Sequence, residues 1–173
     1  MGNLKEIRVR IASVESTQKI TGAMKLVSAA KLRRAQTAII NLRPYANKLN
    51  EILQNIASSA DNGNDMPLFK VRNPENIVLI VINSNRGLCG SFNANVIKET
   101  QRLVQEKYAE QAAAGKVKLI CIGKKANEAL SKNFEVIAYS ETLLDKPLFT
   151  EVATIAQQLM DDFEAKKIDK IEI

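Results

Sequence analysis

The stretch that decides the fold is LKEIRVRIASVESTQKITGAMKLVSAAKLRRAQTAIINLRPYANKLNEILQNIA, residues 4–57. Side chains taken at alternating steps of three and four residues from Leu4 form one seam on a helix of a left-handed coiled coil. The spacing predicts one long helix over residues 1–58, roughly 80 Å in length at about 1.5 Å per residue. The seam is apolar at both ends and polar in its middle: Leu4, Ile7, Ile11, Val14, Gln18, Thr21, Lys25, Ser28, Leu32, Ala35, Ile39, Leu42, Ala46, Leu49, Leu53 and Ile56.

The middle of this helix carries positive charge and lacks acidic residues. Apolar residues there move to another face, at Ile20, Ala23, Met24, Val27 and Ala30. Between Glu15 and Glu51 every charged residue is basic: Lys19, Lys25, Lys31, Arg33, Arg34, Arg43 and Lys48. The partner of this segment is therefore expected to be acidic.

Nucleic acid, solvent and an acidic protein surface are the alternatives for the basic segment. Phosphates attract Lys and Arg through counterion release, but residues 16–38 contain no aromatic side chain for base stacking. Small and apolar residues share a face with the lysines, which favours a protein partner with acidic loops. A solvated basic face on a coiled coil is the simplest alternative to such a partner.

Two residues weaken the predicted helix. Gly22 destabilises a helix interior by about 1 kcal/mol relative to Ala, and Pro44 removes one backbone hydrogen bond. The seam nevertheless resumes in phase after Pro44, at Ala46 and Leu49. We therefore predict that the helix continues through Pro44.

Composition and charge exclude several classes of function. The chain has 173 residues, is 46% hydrophobic and carries a net charge of +6, with ten basic against three acidic residues in positions 1–58. Because it contains no histidine, imidazole catalysis and His-ligated metal sites are excluded. The longest aliphatic run, Ile77–Ile82, is far shorter than the roughly 20 residues that cross a bilayer. Cys89 and Cys121 lack metal-ligand spacing and are expected to be buried free thiols in a reducing compartment.

The rest of the chain predicts a linker and an α/β domain. Residues 59–75 are rich in Asn, Asp, Gly and Pro and are predicted to be a linker. In residues 76–173, aliphatic runs alternate with helical spacing, which is typical of a mostly parallel sheet with right-handed crossovers. Strands are predicted at 77–82, 117–122, 135–139 and from 169, and helices at 93–114, 124–132 and 149–167. Inward-facing residues are expected at Val96, Ile97, Leu103, Val104 and Tyr108 in the first of these helices and at Val152, Ile155, Leu159, Met160 and Phe163 in the last.

The loop SNRGLCGSFN, residues 84–93, follows the first predicted strand. Doubly wound folds often bind ligands at this position, yet Gly87 and Gly90 fit neither the dinucleotide pattern nor the phosphate-loop pattern. A structural turn is the first interpretation, a partner contact the second and a phosphate site the third. Cys89 has no neighbouring general base and is not expected to be catalytic.

Three segments carry a resemblance to a known family. They are MGNLKEIRVRIASVESTQKITGAMKLVSAAKLRRAQ at residues 1–36, RPY at 43–45 and SNRGLCGSFN at 84–93. Together they resemble the gamma subunits of F-type ATP synthases, and the order of shaft, linker and α/β domain agrees along the whole chain. The resemblance implies an α/β fold in which a long N-terminal coiled-coil helix precedes a Rossmann-like, mostly parallel sheet domain.

The family continues with more of the sheet and with a long helix antiparallel to the first. This chain ends inside a predicted fourth strand, so we expect an N-terminal portion with an incomplete domain at 76–173. The resemblance implies that the apolar seam packs on that second helix, and that a contact segment meets acidic loops of the beta subunits. The seam residues are Leu4, Ile7, Ile11, Val14, Leu32, Ile39, Leu42, Leu49, Leu53 and Ile56. The contact segment consists of Lys19, Ile20, Met24, Lys25, Lys31, Arg33 and Arg34.

The resemblance also implies a function and its partners. It implies a non-catalytic central rotor shaft that couples proton-driven rotation of the c-ring to conformational cycling of the catalytic beta subunits. The implied partners are the alpha, beta and epsilon subunits and the c-ring, with no nucleic acid, no cofactor and no direct nucleotide binding. The implied location is the cytoplasmic face of the bacterial inner membrane, as a peripheral protein. With its seam exposed, the isolated chain is expected to self-associate.

Two other functions fit parts of the sequence. The first is an α/β module that binds a small molecule and oligomerises through a coiled-coil arm, with Arg86 and Gly87 in the binding loop. The second is a helix that binds nucleic acid through its basic segment. Saturable nucleotide binding would favour the first, and duplex binding that falls steeply with salt would favour the second.

Overall fold

A computed structural model describes residues 3–59, 67–145 and 147–173 of the chain. The chain divides into two compact units, Met1–Asp61 and Asn62–Ile173. Met1 and Gly2, part of the predicted helix, and residues 60–66, part of the predicted linker, lie outside the described residues. Among the residues that are described, no helix has both the length and the apolar character needed to cross a membrane.

The first unit is one helix, α1, which spans Leu4–Ser59 without interruption. It continues through Pro44, as the phase of the seam predicted. Asn3 stabilises its first turn, since the Asn3 carbonyl accepts a hydrogen bond from the Glu6 amide at 2.8 Å and the Asn3 Oδ1 accepts one from the Lys5 amide at 3.2 Å. These contacts satisfy two of the amides that a helix start leaves unpaired.

The second unit is built on a four-stranded parallel sheet. Its strands are β1 (Ile77–Ile82), β2 (Val117–Ile122), β3 (Val136–Ser140) and β4 (Lys170–Glu172), in the spatial order β3-β2-β1-β4. The first two match the predicted strands, because continuous aliphatic runs are typical of central parallel strands buried on both faces. Of the residues predicted as a linker, Ser59 ends α1, Pro67–Phe69 form a 3₁₀ turn and residues 70–75 have no regular structure.

Helices cover both faces of the sheet. On one face lie α2 (Phe92–Arg102), a π-helical turn (Leu103–Lys107), α3 (Ala109–Ala113) and α4 (Lys124–Leu130). Their side chains pack against the core that includes Ile77, Leu79, Val81, Leu119 and Cys121. After α5 (Thr142–Asp145), α6 (Phe149–Glu164) packs on the opposite face against Val78 and Ile120. The result is a three-layer α/β unit of the predicted class.

The helix predicted at 93–114 is not continuous, which corrects that prediction. A π-helical turn follows α2, and the chain leaves helical geometry at Tyr108, with φ −122° and ψ 30°. The extra residue of a π turn rotates the following side chains. Val104 and Tyr108 are both buried in the core, and Val96 and Ile97 pack against it, as predicted.

The last helix buries less of its apolar side than predicted. Leu159 is buried and Ile155 packs beside it, but Val152 and Met160 are exposed, so the inward assignment of these two residues is wrong. The apolar sector of α6 is wider than the part that the sheet covers. The helix also ends at Glu164, three residues earlier than predicted, because Lys166 adopts the left-handed conformation with φ +60°.

Candidate partner-binding surface

The apolar seam of α1 is exposed along its whole length. Exposure of its large apolar side chains runs from 41% at Ile56 to 74% at Leu4. A helix that places apolar residues on one side without covering them is a surface for another helix. Leu4, Ile7, Ile11, Val14, Leu32, Ile39, Leu42, Leu49, Leu53 and Ile56 all belong to this exposed set.

The predicted contact segment lies mostly beside the seam of α1 and not within it. At about 100° of rotation per residue, five of its seven residues fall within an arc of about 140°: Lys19, Ile20, Met24, Lys31 and Arg34. Ile20 and Met24 are 59% and 64% exposed. Lys25 instead lies in the seam, and Arg33 lies between the two surfaces. The helix therefore presents the seam and a mixed apolar and basic face at the same time.

The basic side chains of this face are not neutralised within the described part of α1. An ion pair joins Lys48 and Glu51 at 2.9 Å, but no described acidic side chain lies within 4 Å of Lys19, Lys31 or Arg34. Because the nearest acids in sequence are Glu15 and Glu51, the positive charge of the segment is diffuse. Such charge attracts an acidic surface without fixing one ion-pair geometry.

Three threonine hydroxyl groups along α1 bond within the helix. Thr17, Thr21 and Thr37 each donate a hydrogen bond to the carbonyl four residues before, at 2.9 Å in every case. These side chains therefore bond to their own backbone in the structure.

The loop at residues 84–93 is closed by its own side chains. Asn93 accepts a hydrogen bond from the Ser84 amide at 3.0 Å and donates one to the Arg86 carbonyl at 3.1 Å. The Arg86 amide donates to the Ser84 hydroxyl at 3.1 Å. A phosphate site needs free amides in such a loop. The amides of Ser84 and Arg86 are therefore engaged within the loop.

Asn85 connects this loop to the next one. Its side-chain oxygen accepts a hydrogen bond from the Lys124 amide at the start of α4, at 3.0 Å, and its side-chain nitrogen donates to the Glu141 carbonyl at 2.8 Å. The carboxyl ends of β1, β2 and β3 are thereby held together by one side chain. The loop also places Leu88 in the left-handed region with φ +60° and leaves it fully exposed.

A buried amide lies at the carboxyl end of β1. Asn83 is 2% exposed, and its side-chain nitrogen and oxygen have no hydrogen-bond partner among the described residues. Gly123 approaches it so closely that a Cβ at that position would lie 2.3 Å from both the backbone and the side-chain oxygen of Asn83. Gly123 also has φ +117°. Only glycine fits there, so this contact fixes the spacing of the loops after β1 and β2.

The two thiols differ in environment. Cys121 is buried in the core, and burial raises the pKa of its thiol to about 11. Cys89 is half-buried rather than buried, so the expectation of two buried thiols is wrong for Cys89. The reason is that Cys89 lies in the exposed loop after β1 and not inside a strand. In the described residues, His, Cys, Asp and Glu side chains do not gather in groups of three that could hold a metal ion.

One ionic cluster was not visible in the sequence. Glu172 of the edge strand β4 contacts Lys107 of the π-helical turn at 2.5 Å and Lys170 at 3.2 Å, beside the buried ring of Tyr108. Partial burial acts to raise the pKa of Glu172, but the hydrogen bonds that it accepts outweigh burial and lower this pKa to about 2. The residues are far apart in sequence, so only the fold brings them together.

The fold and these surfaces define a class of protein: a long exposed helix with a coiled-coil seam, joined to a parallel α/β unit. Comparison with known proteins gives the particular family. The sequence profile of the ATP synthase family matches residues 3–173, and the chain belongs to that family.

Relatives in this family match the chain over its whole length. The ATP synthase gamma chain of Flavobacterium psychrophilum is 48% identical over 100% of this chain, and that of Cytophaga hutchinsonii is 45% identical over 100%. The chain covers 59% of the length of each of these two proteins. Among solved structures, a chain of the Euglena gracilis mitochondrial ATP synthase has the same fold, with a TM-score of 0.52, 18% identity and coverage of 92% of this chain and 49% of that one.

Proposed function

We propose that this chain forms the N-terminal portion of the central rotor shaft of an F-type ATP synthase. In this proposal it couples proton-driven rotation of the c-ring to conformational cycling of the catalytic beta subunits. The observation that carries the proposal is that α1 exposes an apolar seam and, beside it, a mixed apolar and basic face. A shaft needs both surfaces, one to pair with a second helix and one to contact the subunits around it.

The basic face is suited to contacts that change during a cycle. Coupling between two events requires contacts that differ from one state to the next. A strong and unique ion pair would favour one orientation, whereas exposed cations without fixed partners interact with several acidic loops in turn. Ile20 and Met24 add apolar contact area to that face. Acidic loops of the beta subunits are the proposed partners of this face.

The α/β unit is proposed to form the foot of the shaft. It would contact the epsilon subunit and the c-ring and would place the protein on the cytoplasmic face of the bacterial inner membrane, as a peripheral subunit. The loop after β1 lacks the dinucleotide and phosphate-loop glycine patterns, which supports a foot without a nucleotide site. Catalysis is then a property of the beta subunits, and this chain does mechanical work.

Reconstitution tests the proposal directly. The chain is mixed with purified alpha and beta subunits of a bacterial ATP synthase, with and without a peptide covering the C-terminal helix of the Flavobacterium psychrophilum gamma chain. We expect co-elution with the alpha and beta subunits, and ATPase activity that rises when the peptide is present. Absence of association with and without the peptide would refute the proposal.

Met24 provides a sharper test of the contact face. Met24→Lys adds a charge at an exposed apolar position of that face, so an acidic partner should bind it more tightly in one orientation. We expect proton transport per ATP hydrolysed to fall at least twofold in the assembled enzyme, while Met24→Leu stays near the parent value. Equal coupling in the Lys and Leu variants would show that Met24 does not contact the coupling loops.

A further inference from the structure

Residues 70–76, which lead into β1, have no regular secondary structure. Exposure alternates along this segment, and every second side chain is half-buried: Arg72, Pro74 and Asn76. Such alternation is typical of an extended segment that lies with one side on a surface. Pro74 favours this conformation, because its ring fixes φ and because the residue before a proline prefers extended backbone. The segment therefore lies along the α/β unit.

Arg72 ties the segment to the end of α6. Its guanidinium donates a hydrogen bond to the Phe163 carbonyl at 2.6 Å and lies 4.3 Å from the centre of the Phe163 ring. A cation at the carboxyl end of a helix interacts favourably with the last carbonyls and with the helix dipole. The contact joins two positions that are 91 residues apart in sequence.

Asp169, which precedes β4, holds the other end of the segment. Its Oδ2 accepts hydrogen bonds from the amides of Glu75 and Asn76, at 3.3 and 2.9 Å, and from the Asn76 side chain at 3.3 Å. The Asp169 amide in turn donates to the Asn76 carbonyl at 2.8 Å. Hydrogen bonds to a charged acceptor are stronger than those between neutral groups. This contact fixes the segment at the point where the chain enters β1.

The middle of the segment is bonded to the opposite helical layer. The side chain of Gln111, in α3, donates a hydrogen bond to the Pro74 carbonyl at 3.0 Å in a partly buried position. An ion pair between Lys116 and Glu75 at 2.7 Å lies on the exposed side and contributes little. Because α3 and α6 cover opposite faces of the sheet, the segment is bonded to both layers.

We propose that residues 70–76 form a strap that closes as one unit at the amino edge of the sheet, with Arg72 and Asp169 as its two anchors. Short segments held by a few contacts open together when one of those contacts is lost. Only the role of the strap rests on the proposed function: in a shaft, the α/β unit would hold the chain that leads from α1 through this strap. A closed strap would pass rotation of the unit to that chain.

Hydrogen exchange in the full chain tests the strap. Exchange of the Asn76 amide reports opening at the Asp169 anchor, and exchange of the Leu79 amide, inside β1, reports unfolding of the whole unit. Arg72→Ala removes the other anchor and leaves every hydrogen bond of Asn76 in place. We expect it to speed exchange of Asn76 at least tenfold relative to Leu79. Asn73→Ala, at an exposed position beside Arg72, is the matched control and should leave this ratio unchanged.

Asp169→Ala provides the reciprocal test. It removes the acceptor of the second anchor and leaves the contact between Arg72 and Phe163 in place. We expect trypsin to cleave after Arg72 at least tenfold faster than in the parent, relative to cleavage after Lys118 inside β2. Mass spectrometry of the early fragments measures both rates.

Three outcomes would overturn the strap. Equal acceleration of Asn76 and Leu79 in Arg72→Ala would mean that Arg72 only stabilises the whole unit. An unchanged Asn76 rate would mean that the two anchors act independently, and unprotected exchange of Asn76 in the parent would mean that the segment is open. No other subunit takes part, so a failed strap leaves the shaft proposal standing, and failed reconstitution leaves the strap standing.

Discussion

The ends of α3 and α6 provide a matched pair of stability predictions. At the end of α3 the amides of Gly115 and Lys116 donate to the carbonyls of Ala112 and Gln111, at 3.0 and 2.8 Å. At the end of α6 the amides of Lys166 and Lys167 donate to Phe163 and Asp162 in the same pattern, at 3.1 and 2.9 Å. Both ends place one residue in the left-handed region, with φ +70° at Gly115 and +60° at Lys166. Glycine occupies the first position and lysine the second.

The expected change in stability follows from the different residues, glycine and lysine, at these two left-handed positions. A side chain in the left-handed conformation destabilises the native state by about 1 kcal/mol relative to glycine. Lys166→Gly should therefore stabilise the α/β unit by about 1 kcal/mol. Gly115→Ala should destabilise it by about as much, because a Cβ there meets no atom within 4 Å and only the backbone conformation is strained.

Hydrogen exchange measures both effects. Amides of β1 and β2 lie in the core and exchange when the whole unit unfolds, so about 1 kcal/mol changes their exchange rate roughly fivefold. Lys166→Ala is the control, since it removes the charge near the helix end but keeps the Cβ. If Lys166→Gly and Lys166→Ala exchanged at the same rate, the argument from backbone conformation would be wrong.

Three further predictions concern the α/β unit. Gly123→Ala should lower the free energy of unfolding in a urea titration by more than about 3 kcal/mol, because its Cβ would overlap Asn83. The control, Gly87→Ala, should show little change in the same titration, because the space around Gly87 is open. Since the pKa of Glu172 is lowered from 4.5 to about 2, its contribution is fully present above pH 4.5 and is lost as the pH falls toward 2. Acid titration of the parent should show a loss of about 2 kcal/mol that Glu172→Gln lacks. Arg72→Lys should destabilise by about 1 kcal/mol, because the guanidinium lies 4.3 Å from the ring centre of Phe163 and donates to its carbonyl; a thermal melt no lower than that of the parent would contradict this.

Much of the fold was predictable because its signals are local. The aliphatic runs of β1 and β2 predict strands that are buried on both faces. The unchanged phase of the seam on both sides of Pro44 predicts a continuous helix. The π-helical turn was not predictable, since apolar spacing does not show where one extra residue enters a helix. Val152 and Met160 share the apolar side of α6, and the sequence does not reveal how wide a sheet faces it.

The surface of α1 was predicted in part. The seam was predicted as an apolar stripe along α1, and in the described part of the chain its large apolar side chains are exposed. The roles of the contact residues stay predictions, because they depend on other subunits. Asn83 and Glu172 were missed for a different reason: each acquires its role from neighbours distant in sequence, namely Gly123 and Lys107.

Pro44 has a mechanical consequence for α1. Proline has no amide hydrogen, so the carbonyl of Ile40 loses its usual partner inside the helix, and a rod bends most easily where its internal bonds are fewest. Sideways force on α1 would therefore produce most of its curvature near residues 40–44. The part of α1 before residue 40 would move as a stiff segment, and the part after residue 44 would change its direction relative to it.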